Sequence, residues 1–137
     1  MRQPAVFFGH GSPMNALGGP YGAAWRALGE AIGKPKGVVM ISAHWETRGL
    51  GVTAQDRPET IHDFGNFPRE LHEMQYPAPG SPELAARVAE LTGAVQTQQW
   101  GLDHGTWSVL CHVWPDADVP VVQLSLNREL TARQHYE

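Results

Sequence analysis

An α/β fold, with a mostly parallel central sheet flanked by helices, is the class that the sequence predicts. Three observations predict it. The run Val38-Val39-Met40-Ile41-Ser42 is apolar up to its last residue, as in a strand buried on both faces of a parallel sheet. Residues 22–32 space Trp25, Leu28 and Ile32 at helical intervals and stop at Gly33-Lys34-Pro35. A short apolar run at residues 5–8 precedes that helix, so strand, helix and strand make a βαβ unit with a right-handed crossover.

The remaining elements follow in order. Residues 5–8, after Pro4 and ending at Gly9, are the first expected strand, and residues 50–54 are another short one. Residues 55–81 hold Pro58, Pro68, Pro77 and Pro79 among His62, Phe64, Phe67 and Tyr76. A loop of that length in a compact domain is functional or disordered. Ser81-Pro82-Glu83-Leu84 places an N-cap before a first-turn proline, and that helix ends near Gly93. Residues 95–98 make a strand and residues 103–113 a helix. Residues 119–126 are strongly β-prone and make a central strand, after which Asn127 caps a last helix running toward Tyr136. The βαβα pattern halts one or two turns into that helix. Residues 1–137 therefore read as the N-terminal portion of one longer domain, with a frayed natural terminus as the alternative.

Composition narrows the function classes. The chain is 42% hydrophobic and 18% charged, which suits a globular domain with its own core. A formal net charge of -4 argues against a nucleic-acid footprint. No run of 18 apolar residues exists to span a membrane, and residues 1–6 lack the apolar core of a signal peptide. A single cysteine, Cys111, fits a reducing, cytoplasmic compartment. A homo-oligomer is left open.

Chemistry concentrates in three histidine motifs. Gly9-His10-Gly11-Ser12-Pro13 lets a ring project from a tight turn, and Ser42-Ala43-His44-Trp45 follows an apolar strand. Both histidines therefore stand at strand ends, where ligands of open α/β sheets bind. Two neutral imidazoles there could start a transition-metal site. Each motif alone is equally compatible with a turn or half-buried histidine of no function. In Gly101-Leu102-Asp103-His104-Gly105, Asp103 suits an N-cap, and the helix dipole disfavours a charged His104. A neutral His104 could donate one hydrogen bond to a substrate or an oxygen species.

His62 and Asp63 in the aromatic loop could contact substrate, and Trp45, Trp100 and Trp107 could wall a pocket; ordinary packing is the alternative for each. His72, His112 and His135 lack supporting context and read as structural or solvent-facing. Ser12 lacks the Gly-x-Ser-x-Gly elbow of a nucleophile. No Cys-x-x-Cys, P-loop, Gly-x-Gly-x-x-Gly or His-Glu-x-x-His motif is present.

Taken in order, Gly9-His10-Gly11-Ser12-Pro13-Met14, Ser42-Ala43-His44-Trp45, Thr60-Ile61-His62-Asp63-Phe64-Gly65, Tyr76-Pro77-Ala78-Pro79-Gly80 and Trp100-Gly101-Leu102-Asp103-His104-Gly105 resemble one family. It is the class III extradiol ring-cleavage dioxygenases, in their DOPA 4,5-dioxygenase-like branch. The resemblance implies a LigB-like fold, truncated here, because family members run roughly twice as long. It implies a non-haem Fe(II) centre that opens a catechol ring with O2, with Zn(II) as another metal the site could bind. His10 and His44 would be metal ligands and His104 the active-site group beside them. His62, Asp63 and Trp45 would bind substrate. A third ligand and an acid/base histidine would come from the C-terminal half of the domain, so residues 1–137 alone would be inactive. Two further classes stay open: a non-catalytic metal- or ligand-binding protein on this scaffold, and a metal-dependent hydrolase.

Overall fold

The computed structural model describes residues 2–137. In chain order its elements are α1 (Gly22–Ile32), β1 (Val38–Thr47), β2 (Gly51–Thr53), α2 (Arg69–Glu73), α3 (Pro82–Thr92), β3 (Val95–Thr97), α4 (His104–Val113), β4 (Val121–Asn127) and α5 (Ala132–Tyr136). A 3-10 turn at Pro13–Ala16 precedes α1. The sheet order is β1-β4-β2-β3. β1 pairs β4 in parallel and β2 pairs β3 in parallel, while β2 meets β4 antiparallel through Val52 and Leu124. The mostly parallel sheet flanked by helices is thus present, with β4 in its interior.

Two apolar layers sandwich the sheet. On one face Trp25 of α1 and Trp107, Leu110 and Val113 of α4 pack with Tyr76 and Val121, and Val38 and Met40 join them. On the other, Ala85 and Val88 of α3 pack on Val52 and Val122. α1 and α4 touch where Gly29 meets the end of α4, and a Cβ there would collide with the Val113 carbonyl. Gly29→Ala is expected to lower stability by about 1–3 kcal/mol, the usual range for overpacking, as read by urea unfolding.

Three elements differ from the sequence expectation. Residues 5–8 form no strand, since a strand exists only where a neighbour completes its ladder, and no strand adjoins them. Val39 and Ile41 are exposed, so β1 is covered on one face only: α3 lies across β2 and β3 and leaves the β1 end of the sheet bare. β1 also continues past Ser42 to Thr47, with its register against β4 broken between Ile41 and Glu46. The last helix starts later than Asn127. Thr131 caps it, accepting from the Gln134 N–H while the Gln134 side chain accepts from the Thr131 N–H.

Candidate metal centre

Three histidines meet at one end of the sheet, each aimed by a different local device. Gly11, at φ +65°, reverses the chain directly after His10. Ser12 then caps the 3-10 turn by accepting from the Met14 N–H, which gives its hydroxyl a structural task. The Asn15 amide donates to the His10 carbonyl at 2.8 Å, and the His112 Nε2 lies 2.7 Å from the Asn15 carbonyl. His112 thus ties the His10 turn to α4.

His44 sits inside the irregular stretch of β1, where the register slip redirects side chains that a regular strand would alternate. His104 is the first residue of α4. Asp103 caps that helix, its Oδ1 accepting from the Gly105 N–H at 3.0 Å. Gly105 is small for a reason, because a Cβ there would lie 2.5 Å from Ser42 Oγ and 3.0 Å from the His44 ring.

The ring nitrogens converge. His10 Nε2 and His44 Nε2 are 3.0 Å apart, and one donor atom from each of His10, His44 and His104 lies within 4.8 Å of the others. The His44 and His104 ring centroids are 4.1 Å apart. His104 is buried, His10 half-buried and His44 exposed, so the cluster opens to solvent on one side. Burial holds the His10 imidazole below the usual histidine range, and the neighbouring His44 and His104 rings push it the same way. A neutral ring keeps a lone pair for a cation.

Asp63 fixes His104. Its Oδ1 accepts from the His104 backbone N–H at 2.8 Å and lies 2.9 Å from His104 Nδ1. Burial alone would raise the Asp63 carboxyl, but the hydrogen bonds from the His104 ring and backbone outweigh it and hold the pKa below the ordinary value. With Nδ1 directed at Asp63, His104 turns Nε2 toward the other two rings. The Asp63 loop is held by short ties: the Ile61 N–H donates to the Leu102 carbonyl, and Trp107 Nε1 donates to the Ile61 carbonyl, both at 2.8 Å. His62 has its Nε2 2.6 Å from the Met74 carbonyl and packs by Phe64 and Trp107. Phe64 sets its ring edgewise to His104 at 5.7 Å. Trp45 takes the other direction, against Gly51, and stacks on Trp100 at 5.9 Å, lining a separate cleft of about 370 Å³.

Beneath the histidines lies a buried polar network that sequence reasoning missed. Asp103 accepts from Ser42 Oγ at 2.7 Å, Gln123 Nε2 at 2.8 Å and Trp100 Nε1 at 3.2 Å, besides the Gly105 N–H. Gln123 Oε1 accepts in turn from the Asp103 N–H and from Thr106 Oγ1. The His44 N–H donates to Ser42 Oγ, so β1, β4 and α4 are pinned together directly under His44 and His104. The signal available beforehand was Gln123, a polar residue inside the apolar run of β4.

The donor set fits a first-row transition metal. Imidazole nitrogens suit iron, zinc, copper and nickel better than magnesium or calcium. Two bonds of about 2.1 Å at right angles place their ligand atoms about 3 Å apart, the spacing His10 and His44 already have.

Residues 13–137 match the LigB family, described as the catalytic LigB subunit of aromatic ring-opening dioxygenase. The chain is 50% identical to the 4,5-DOPA dioxygenase extradiol of Escherichia coli K12, over 99% of this chain and 52% of that protein. It is 42% identical to the 4,5-DOPA dioxygenase extradiol of Beta vulgaris, over 96% of this chain and 53% of that one. A crystal structure of an uncharacterized Escherichia coli K12 protein superposes with a TM-score of 0.68 at 41% identity, covering 86% of this chain and 45% of that one. The chain spans about half the length of the curated relatives it matches.

Proposed function

The chain belongs to the LigB family of aromatic ring-opening dioxygenase catalytic subunits, and on that premise we propose that it carries the metal-binding part of an Fe(II) site that opens a catechol ring with O2. The convergence of His10, His44 and His104 at one sheet end is the observation that carries this reading. His10 and His44 hold the metal. When bound there, Fe(II) supplies the redox chemistry that joins a catechol to O2, whereas Zn(II) would occupy the same nitrogens without it.

His104 binds substrate or oxygen. Asp63 Oδ1 lies 2.9 Å from its Nδ1, which leaves Nε2 to donate a hydrogen bond to a substrate or an oxygen species. Phe64, set edgewise to the His104 ring, excludes water from that side of it. We assign His62 and Asp63 to substrate binding, Asp63 acting through His104, and Trp45 to the wall of the neighbouring cleft that it lines. Residues 1–137 form the N-terminal portion of one catalytic domain, the catechol being DOPA or a related phenol. The lone thiol of Cys111 fits a cytoplasmic setting. No helix of the described residues is long and apolar enough to cross a membrane.

The test joins the chain to the second half of its Escherichia coli relative, loads Fe(II) without oxygen, adds DOPA and other catechols, and then admits air. Oxygen uptake with a yellow ring-opened product is expected, and little or none from residues 1–137 alone. Zinc held tightly, with no oxygen uptake after iron replacement, would favour a binding protein instead. Ester or amide turnover without O2 would favour a hydrolase.

A further inference from the structure

Of the three histidines, His10 alone stands outside every helix and strand, since β1 holds His44 and α4 opens on His104. Its ring therefore needs another support, and Asn15 of the Pro13–Ala16 turn gives one. The Asn15 Nδ2 donates to the His10 carbonyl at 2.8 Å, which fixes the orientation of the amide, because only its nitrogen can donate to a carbonyl. The Asn15 N–H donates to the Ser12 carbonyl at 3.0 Å. On the far side, His112 Nε2 donates to the Asn15 carbonyl across 2.7 Å, so that ring nitrogen carries a proton. Small residues make room for these contacts. A Cβ on Gly11 would lie 2.9 Å from Asn15 Nδ2, and one on Gly19 3.0 Å from Asn15 Oδ1. A Cβ on Gly22 of α1 would lie 3.1 Å from the His112 ring, which Trp25 flanks at 5.8 Å. A chain of contacts thus runs from α1 through His112 and Asn15 to His10.

We propose that Asn15, steadied by His112, is the positioning residue of His10. Its amide fixes the peptide plane between His10 and Gly11, and so the direction in which the imidazole leaves the turn. The result is a His10 Nε2 preorganised 3.0 Å from His44 Nε2. Groups carried on loops are placed less precisely than those on helices and strands, and a shift of about 1 Å is enough to spoil a binding constellation. A bond on the His10 carbonyl therefore acts on the metal pair although it touches neither ring nitrogen. The proposal rests on the reading of His10 and His44 as metal ligands, but its first test uses no metal.

The His10 and His44 ring centres are 4.9 Å apart, close enough for a nuclear Overhauser cross-peak between their carbon-bound protons. It is measured on the metal-free 137-residue chain. Asn15→Asp keeps the shape of the side chain but carries only acceptors at neutral pH, so it cannot donate to the His10 carbonyl. In this variant the cross-peak is expected to fall at least about threefold, the effect of a displacement of about 1 Å. Zinc affinity, read by competition against a coloured chelator, is expected to fall about tenfold. His112→Leu, which fills the space without a donor, should act in the same direction. His112→Gln, whose amide can still donate to Asn15, should keep most of the wild-type signal. Val88→Ala, on the opposite face of the sheet, should lower stability by urea unfolding and leave cross-peak and zinc affinity unchanged. No cross-peak in the wild type, or one at wild-type strength in both Asn15→Asp and His112→Leu, overturns the proposal. So does an equal weakening in Val88→Ala, which would make Asn15 merely structural. Should Asn15→Asp not fold, the His112 pair decides, and equal behaviour of His112→Leu and His112→Gln overturns it. A wild-type chain that binds no zinc would defeat the metal reading, while the cross-peak would still decide what places His10.

Discussion

His44→Ala and His10→Ala each weaken the binding of Fe(II) or Zn(II) by at least about a hundredfold, more than the 10–100-fold loss typical of residues behind a metal ligand. Competition against a coloured chelator measures it. The reason is geometric: the two Nε2 atoms stand 3.0 Å apart, and loss of either leaves only one donor of that pair. His104→Ala separates the roles. It keeps metal affinity within about tenfold, while turnover of the joined protein falls about 10²–10³-fold, the span of a lost hydrogen-bond donor to developing charge. A loss of metal as large as that of His44→Ala would instead make His104 the third ligand. Acidification should release the metal from the wild-type site, because protonated imidazole has no lone pair to give. His10, whose pKa is depressed by burial and by the neighbouring rings, should keep its lone pair to a lower pH than an ordinary imidazole.

Asp103→Ala has the largest expected effect on stability. The side chain is fully buried and accepts from Ser42, Gly105, Gln123 and Trp100. Alanine leaves the Gln123 amide and the Ser42 hydroxyl without their partner in a dry interior and removes the cap of α4. The expected loss is about 3–5 kcal/mol by urea unfolding. Asp103→Asn, which keeps an acceptor for the cap, should recover a substantial part of it. Because the same network pins Ser42 beneath His44, metal affinity should fall in both variants, and by more in the alanine. A variant as stable as wild type would show that the network is not what holds the sheet end together.

How much of this was legible in the sequence depends on how local each signal is. α1, α3 and α4 were readable because their periodicity and caps lie within a few residues: Ser81-Pro82 opens α3, Gly93 closes it and Asp103 opens α4. β4 was readable as a long β-prone run. The short helix α2, five residues beside Pro68, has too few turns to show a period. The apolar residues 5–8 looked like a strand because hydrophobicity was all there was to read, while the missing neighbour is a property of the whole sheet. His44 lies within β1 rather than after it, since the register slip that turns it toward His10 depends on pairing with β4. His10, His44 and His104 were singled out from their motifs, and the structure brings all three to one place. The hold of Asp63 on His104 was not visible, because Asp63 and His104 lie far apart in the chain and meet only through the loop that pairs with Leu102.

The central claim is that His10 and His44 bind one catalytic metal ion, and X-ray absorption of the metal-loaded protein addresses it most directly. The account expects one ion per chain, with nitrogen neighbours at about 2.0–2.2 Å and the outer-shell scattering of at least two imidazoles. That imidazole signal should collapse in the His10→Ala/His44→Ala double variant. A shell made only of oxygen, or an imidazole signal unchanged in the double variant, would contradict it.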